Sequence, residues 1–334
     1  MHSDHFLKQA ADFAALMGGN KIILLTTHVS PDGDAVASLL AAAEIVACLG
    51  SRPVCALDAV VPVRFQFLPG ADHILKPEEL PSKAQANPWP AAVALDCGSL
   101  ARIGKIADQI PAGTPLINVD HHPDNVHFAD LNIVYPEAAS TTEILFHLAQ
   151  ARALPLSSKM ASLLYTGLMT DTGAFRFSNT SQEAFAMATK LTDLGINPYE
   201  IAKAVYGTNS AASVKMLGEA LSSLELAAAG RIALMTARDW NAHEEYEDAV
   251  DFALTVKGVQ AAAFFRVGNG TCRVSLRSCG DHNVAGIARR FGGGGHQRAA
   301  GFTFQGSLEE IRERVIEALR EEIGDRAARV ADQK

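Results

Sequence analysis

His28, Asp32 and Asp34 lie close together in Thr26-Thr-His-Val-Ser-Pro-Asp-Gly-Asp-Ala-Val-Ala-Ser38, with Pro31 and Gly33 making the turn tight. One imidazole and two carboxylates on such a turn can converge on a hard or borderline divalent cation. Asp-Gly-Asp is also the sequence of an ordinary turn with a helix N-cap, so this stretch alone leaves both readings open. Two further apolar runs end in acids: Ala91-Ala-Val-Ala-Leu-Asp96 and Pro115-Leu-Ile-Asn-Val-Asp120, the second followed at once by His121 and His122. Asp171 stands in Leu168-Met-Thr-Asp-Thr-Gly-Ala-Phe-Arg-Phe-Ser-Asn-Thr180, where a helix-like run should give way to Thr-Gly and a short strand.

The elements that must position these groups are legible around them. Lys21 to Thr27 reads as a buried strand, and Asp34 to Leu49 as a helix closed by Gly50, with Pro53 shortly after. In an open α/β sheet, ligands bind outside the carboxyl ends of the strands, so three strands each delivering Asp or His there would share one crevice. Any one of the acids could instead cap a helix or sit in a solvated turn. The four segments together favour chemistry. His121 and His122 would face opposite ways in extended chain, which separates their roles.

Strand and helix alternate further along. Pro53 to Leu57 is a second strand candidate, and Arg102-Ile-Gly-Lys-Ile starts a helix leading to the Asp120 strand. Ala139-Ser-Thr-Thr-Glu143 resembles a capped helix start, and Leu156 to Met169 is a further helix. Pro81 to Pro90 reads as a surface loop. The expected fold is α/β: a mainly parallel sheet with helices on both faces, then a smaller C-terminal α/β domain, with a cleft between them. Residues 1–206 form the first domain, including a helical connector from about residue 182; 207–212 form the linker, and 213–334 the second domain. A chain of 334 residues gives each domain ample core.

No run approaches the roughly 18 apolar residues of a membrane helix, and the N-terminus lacks a signal-peptide pattern. Asp4 to Met17 has the spacing of an amphipathic helix that packs on the sheet. Five cysteines without a Cys-x-x-Cys pair suggest neither a zinc site nor a disulfide framework, which fits reduced thiols in the cytoplasm. His73, His127, His147 and His243 read as surface or packed residues; His282 is undecided.

A net charge of −8 argues against general attraction to nucleic acid, but its distribution is uneven. From Lys257 to Gly301 seven basic residues face Asp281 alone, which suits a short polyanion. Arg289 and Arg290 fit solvated cations near a helix C-terminus. Arg273 and Arg277 share a strand face. Gly292 to Gly295, ahead of His296, could be a plain flexible turn. They also clear one surface of side chains, so that backbone N–H groups approach a phosphate while His296 or Arg298 adds charge.

HVSPDGDA, the acid in LDCGSLARIG, the Asp-His-His triplet and TDTGAFRFSN resemble motifs one to four of the DHH phosphoesterase family. FGGGGHQRAAG resembles the signature of the DHH-associated domain that follows it. The resemblance runs from about Lys21 to about Phe304, and the compact length is similar to the oligoribonuclease and pAp-phosphatase branch, the nanoRNases. It implies two divalent cations, one with His28, Asp32 and Asp96, the other with Asp34, Asp96, His121 and Asp171, so that Asp96 bridges. Mixed imidazole and carboxylate ligands suit Mn2+ better than Mg2+. Asp96, His122 and Asp120 are the catalytic candidates: His122 orients or stabilises the phosphoryl group, and Asp120 anchors a ligating imidazole.

Arg277, Gly293, Gly294, Gly295, His296 and Arg298 in the second domain, with Arg102 and Arg176 beside their motifs, are the substrate-binding candidates; Arg102 and Arg176 could each equally pair with a ligand carboxylate. Phe265, Phe291 and Phe302 could stack a base, although core packing is the simpler reading. The implied activity is hydrolysis of very short RNA to mononucleotides and of the 3′-phosphate of pAp. The alternatives are a soluble phosphodiesterase for cyclic or linear dinucleotides and, outside catalysis, a nucleotide-binding sensor. Partners are short RNA or nucleotides and no membrane; a homodimer is compatible with the sequence.

Overall fold

The computed structural model describes residues 3–81, 89–238, 249–268 and 270–331. His243 and residues 82–88 of the Pro81–Pro90 loop lie outside the described residues. The chain divides into two compact units, Met1–Thr208 and Asn209–Lys334.

In the first unit, α1 (Asp4–Met17) is capped by Ser3, whose hydroxyl accepts the Phe6 N–H, and buries Phe6, Phe13 and Met17. β1 (Ile22–Thr27), α2 (Gly33–Cys48), β2 (Arg52–Ala56), β3 (Ala91–Leu95), β4 (Leu116–Asp120) and β5 (Leu131–Val134) follow. Next come α3 (Thr141–Ala151), α4 (Ser158–Asp171), α5 (Gln182–Thr192) and α6 (Pro198–Tyr206). The five strands are all parallel, in the order β2-β1-β3-β4-β5. Every residue of β3 is buried, as a strand covered on both faces requires. Ile23, Leu24 and Leu25 of β1 have no exposed surface, and burial of such side chains contributes about 1.5–3 kcal/mol each. Reversal of strand order between β1 and β3 makes the gap beyond their carboxyl ends the topological switch point.

Three local expectations differ from the structure. Leu100–Gln109, after the Asp96 strand, is not an α-helix but 3₁₀ turns broken at Gly104. No strand follows Asp171: Gly173, Ala174 and Phe175 all take positive φ, which curls the chain instead of extending it. β5 was not expected, because Leu131-Asn-Ile-Val is short and its alternation is weak.

The second unit contains α7 (Ala211–Ser222), β6 (Glu225–Ala227), β7 (Ile232–Ala237), α8 (Ala249–Leu254), β8 (Ala261–Gly268) and β9 (Thr271–Ser278). After them come α9 (Val284–Arg290), β10 (Gly294–His296), β11 (Ala299–Gln305) and α10 (Leu308–Ala331). The sheet order is β10-β11-β9-β8-β7-β6, and among the described pairs only β7 and β8 run parallel. Alternation splits the side chains: Phe265, Val274, Leu276 and Phe302 join the core of α9 and α10, while Met235 and Phe264 join that of α8. Among the described residues no helix is long and apolar enough to cross a membrane.

Candidate metal centre

β1 and β3 pair in register up to Thr27 and Leu95, so the next residues, His28 and Asp96, leave the sheet side by side at the switch point. The His28 Nδ1–H donates to the Val29 carbonyl at 2.9 Å, which leaves Nε2 toward Asp96 Oδ2, 3.6 Å away. Asp96 has φ of 58°, a left-handed value unusual for a non-glycine residue and of the kind that gathers at functional sites. Its N–H still bonds the Val119 carbonyl at 2.9 Å, so the bend is anchored to β4. Asp32 is the N-cap of α2 and accepts the Ala35 N–H at 3.0 Å.

Asp34, two residues further, is 1 % exposed. Its two oxygens accept the backbone N–H groups of Thr141 at 2.6 Å and Thr142 at 3.1 Å, so the open N-terminus of α3 cups the carboxylate. The Thr141 hydroxyl donates to Asp96 Oδ1 at 2.9 Å. A Cβ on Gly167 would lie 2.5 Å from Asp34 Oδ1, so α4 must be bare here for Asp34 to fit. Asp171 is the last residue of α4, where the helix dipole disfavours an anion. It faces His121 Nε2 at 3.4 Å, and Asn179 holds its backbone carbonyl at 3.1 Å.

The chain leaves extended geometry after Asp120, so His121 and His122 do not point apart: both rings reach Asp96 Oδ1, at 3.7 Å each. Their tethers differ. The His121 Nδ1–H donates to the Ala138 carbonyl at 3.1 Å, leaving Nε2 to Asp96 and Asp171. His122 donates its Nδ1–H to Asp120 at 2.6 Å, so Asp120 anchors His122 and not the neighbouring imidazole.

Three overlapping groups have donor atoms within 4.8 Å of one another: His28, Asp32 and Asp96; Asp34, His121 and Asp171; Asp96, His121 and His122. Burial pushes His28 and His121 down, but the surrounding carboxylates outweigh it and hold both above the ordinary histidine value. Burial pushes Asp96 up, and the three imidazoles more than reverse it. Asp171 is raised to about 7, by burial first and then by Asp32 and Asp96 against the opposing pull of His121. Burial, Asp96 and Asp171 raise Asp34 well above the carboxylate range. Protonation is thus favoured at Asp34 and Asp171 and disfavoured at Asp96, which lies among the imidazoles. With Nδ1 of His28 and of His121 tied to backbone carbonyls, their Nε2 atoms and the crowded carboxylates form a cluster that could bind metal.

The Arg102 carbonyl accepts the Val29 N–H at 2.8 Å, next to His28, and its charge opposes protonation of that imidazole. Arg176 is not gathered there: its Nε donates to the Gly173 carbonyl at 2.7 Å and its side chain is exposed, over the Phe177 ring. In the second unit Arg277 is tied to Asp251 at 2.9 Å, and Arg290 to Glu321 at 2.8 Å. Arg298 is exposed, and the His296 side chain lies outside the described residues. Gly293 and Gly295 are not in a loose turn. Gly294–His296 is a strand, and a Cβ on Gly295 would meet the Ala299 carbonyl at 2.5 Å while one on Gly293 would strike that of Gly301. Phe265 and Phe302 are core, with Phe291 stacked on Phe302 at 4.7 Å.

Thr141, Thr142 and Asn125 escaped notice in the sequence. The first two looked like part of a capped helix start only. The available signal was Asn118, a polar side chain in an otherwise apolar strand, on the same face as Asp120.

With acids and imidazoles gathered at the switch point of its parallel sheet, the chain belongs to the DHH family. Residues 22–168 match the DHH family N-terminal domain, and residues 231–325 match the DHHA1 domain. The chain is 34 % identical over 307 residues to the bifunctional oligoribonuclease and PAP phosphatase NrnA of Thermus thermophilus, covering 90 % of each protein. To the protein of the same name from Bacillus subtilis it is 28 % identical, covering 84 % of this chain and 88 % of the other. A solved structure of an exopolyphosphatase-related protein from Bacteroides fragilis superposes with a TM-score of 0.85 at 27 % identity, over 94 % of this chain and 96 % of that one.

Proposed function

We propose that this chain hydrolyses short oligoribonucleotides to mononucleotides and removes the 3′-phosphate of pAp, using two divalent cations, Mn2+ in preference to Mg2+. The observation that carries the reading is the convergence of His28, Asp32, Asp34, Asp96, His121 and Asp171 from four separated segments. Similarity to NrnA proteins along most of the chain favours short RNA and pAp over other phosphoesters.

The donor set divides into His28 with Asp32 and Asp34 with His121 and Asp171, and Asp96 lies between the imidazoles of both groups. When bound, such a cation pair supplies Lewis acidity toward phosphoryl oxygens and a nucleophile at neutral pH. Asp96, gripped by the Thr141 hydroxyl, would serve as a ligand already held in place. Asp34 is held by α3 so that its oxygens need no rearrangement on binding. His122, braced by Asp120, presents its Nε2 to the phosphoryl group. Arg102 balances phosphate charge from the side of His28. In the second unit, Arg298, the backbone of Gly293 to Gly295, His296 and Arg277 are the candidates for gripping the rest of the nucleotide. Cysteines outside any disulfide suit work in the cytoplasm.

The test is turnover of an RNA dinucleotide, pAp and cyclic-di-AMP side by side with Mn2+. The dinucleotide and pAp are the expected substrates. Faster hydrolysis of the cyclic compound would overturn the substrate class, and binding without turnover of any of them would overturn the enzyme.

A further inference from the structure

Behind His122 lies a polar chain that none of the ligand groups requires. Asp120 has no exposed surface and belongs to none of the three ligand groups, although it touches His122, a member of one. Its Oδ1 accepts the His122 Nδ1–H at 2.6 Å, and its Oδ2 accepts from Asn125 Nδ2 at 2.6 Å. Asn125 Nδ2 also donates to Asn118 Oδ1 at 2.7 Å, and Asn118, fully buried in β4, donates to the Ala94 and Cys97 carbonyls at 3.1 and 3.2 Å. The chain therefore ends on the backbone around the end of β3.

The orientation of the Asn125 amide is fixed by its partners. Its Oδ1 accepts the His127 N–H at 2.7 Å; a flipped amide would set an acceptor against the Asp120 carboxylate and a donor against that N–H. A carboxylate held at both oxygens can turn neither toward solvent nor into the cation site. A carboxylate held only by an imidazole could do both.

Building on the proposed hydrolase, we propose that Asn125 is a positioning residue for the reaction: through Asp120 it locks the plane and tautomer of His122, and so aims Nε2 at the phosphoryl group. Asn125 itself touches neither cations nor substrate. Its loss leaves the ligands in place and loosens one imidazole. Groups that orient a site imidazole from behind are commonly worth about 10–100-fold in activity or metal affinity, and here the effect falls on kcat.

The experiment is a double-mutant cycle on the full chain, with an RNA dinucleotide and Mn2+, joining Asn125→Ala to His122→Ala. Asn125→Ala lowers kcat by about 10–100-fold, with KM and Mn2+ affinity within about twofold of wild type. In the His122→Ala background the same change costs nothing further, because the residue it positions is gone. An equal loss in both backgrounds, or no loss in either, overturns the proposal. Asn125→Ser, which keeps a donor, recovers part of the rate, and it replaces Asn125→Ala in the cycle if that variant does not fold. A second readout needs no substrate. In the metal-free protein the His122 Nδ1–H gives a downfield, slowly exchanging proton resonance, assigned by its absence in His122→Ala. It broadens or moves upfield in Asn125→Ala; an unchanged resonance in that variant contradicts the proposal. If wild type shows no metal-dependent turnover, the function reading fails, while the proton resonance still decides whether Asn125 orders the ring.

Discussion

The two units bear their charged residues differently. In the first, strand ends of a parallel sheet bring Asp96, His28 and the His121–His122 pair together, and two of the acids, Asp34 and Asp171, lie on helices that pack at the same edge. Carboxylates are crowded there among three imidazoles, which offset part of the charge and hold Asp96 ionised, while burial and the neighbouring acids keep Asp34 and Asp171 raised. In the second unit, segments that look strongly basic in sequence meet acids from elsewhere: α8 supplies Asp251 to Arg277, and α10 supplies Glu321 to Arg290. A charge run in sequence is thus a poor guide to a charged surface, because the fold can return the opposite charge to it. An acid at the carboxyl end of a buried parallel strand is a better guide, because the topology leaves it nowhere else to go.

The largest expected effect falls on Asp96, which touches all three imidazoles. Asp96→Ala lowers Mn2+-dependent turnover by about a thousandfold or more, several kcal/mol of lost stabilisation at about 1.4 kcal/mol per decade. Turnover within tenfold of wild type would remove Asp96 from the centre. Next is Gly167→Val, which pushes side-chain atoms into Asp34 and Thr142. Overpacking of this kind costs about 1–3 kcal/mol, so thermal unfolding of the first unit shifts down and Mn2+ affinity drops with it. An unshifted midpoint with unchanged affinity would show that Asp34 does not need the bare helix.

The pH dependence follows from Asp171, raised to about 7 in the folded, metal-free protein. Its unfolded value is about 3.9. Between those values the folded chain keeps a proton that the unfolded chain has lost, so metal-free stability falls as pH rises from about 4 to about 7. Mn2+ must displace that proton, so affinity climbs with pH up to about 7, then levels as this group ceases to contribute. Calorimetric titration in buffers of different ionisation enthalpy counts the released protons; no release at pH 6 would contradict the raised value.

The smallest effect probes the second unit. Asp251→Asn removes the anion partner of Arg277, a part-exposed pair for which a contribution of up to about 1 kcal/mol is typical. Stability changes little, and an Arg277 that also grips substrate becomes more available, so KM for the dinucleotide falls. A raised KM would mean that Asp251 positions Arg277 rather than competing for it.

Much of the first unit was legible because its chemistry sits at strand ends. Ala91 to Leu95 and Leu116 to Val119 are apolar enough to declare themselves, and Asp96, Asp120 and the two histidines follow directly. What was not legible depends on contacts distant in sequence or on backbone that departs from regular geometry. Thr141 and Thr142 reach Asp34 across more than a hundred positions, so capping chemistry concealed a second use. The facing of both His121 and His122 toward Asp96 required the chain to stop being extended, and the parity rule then failed. In the second unit the glycine run reads as clearance for a ligand, whereas the packing of β10 on β11 already demands Gly293 and Gly295.

The central claim is that a pair of cations held by these residues cuts short RNA. Its most direct test is mononucleotide release from an RNA dinucleotide by metal-stripped protein, followed as Mn2+ is added in sub-stoichiometric steps. The account predicts no release without Mn2+ and a rise to a plateau near two equivalents per chain. Release that is already maximal before any ion is added, or none at saturating Mn2+, would contradict it.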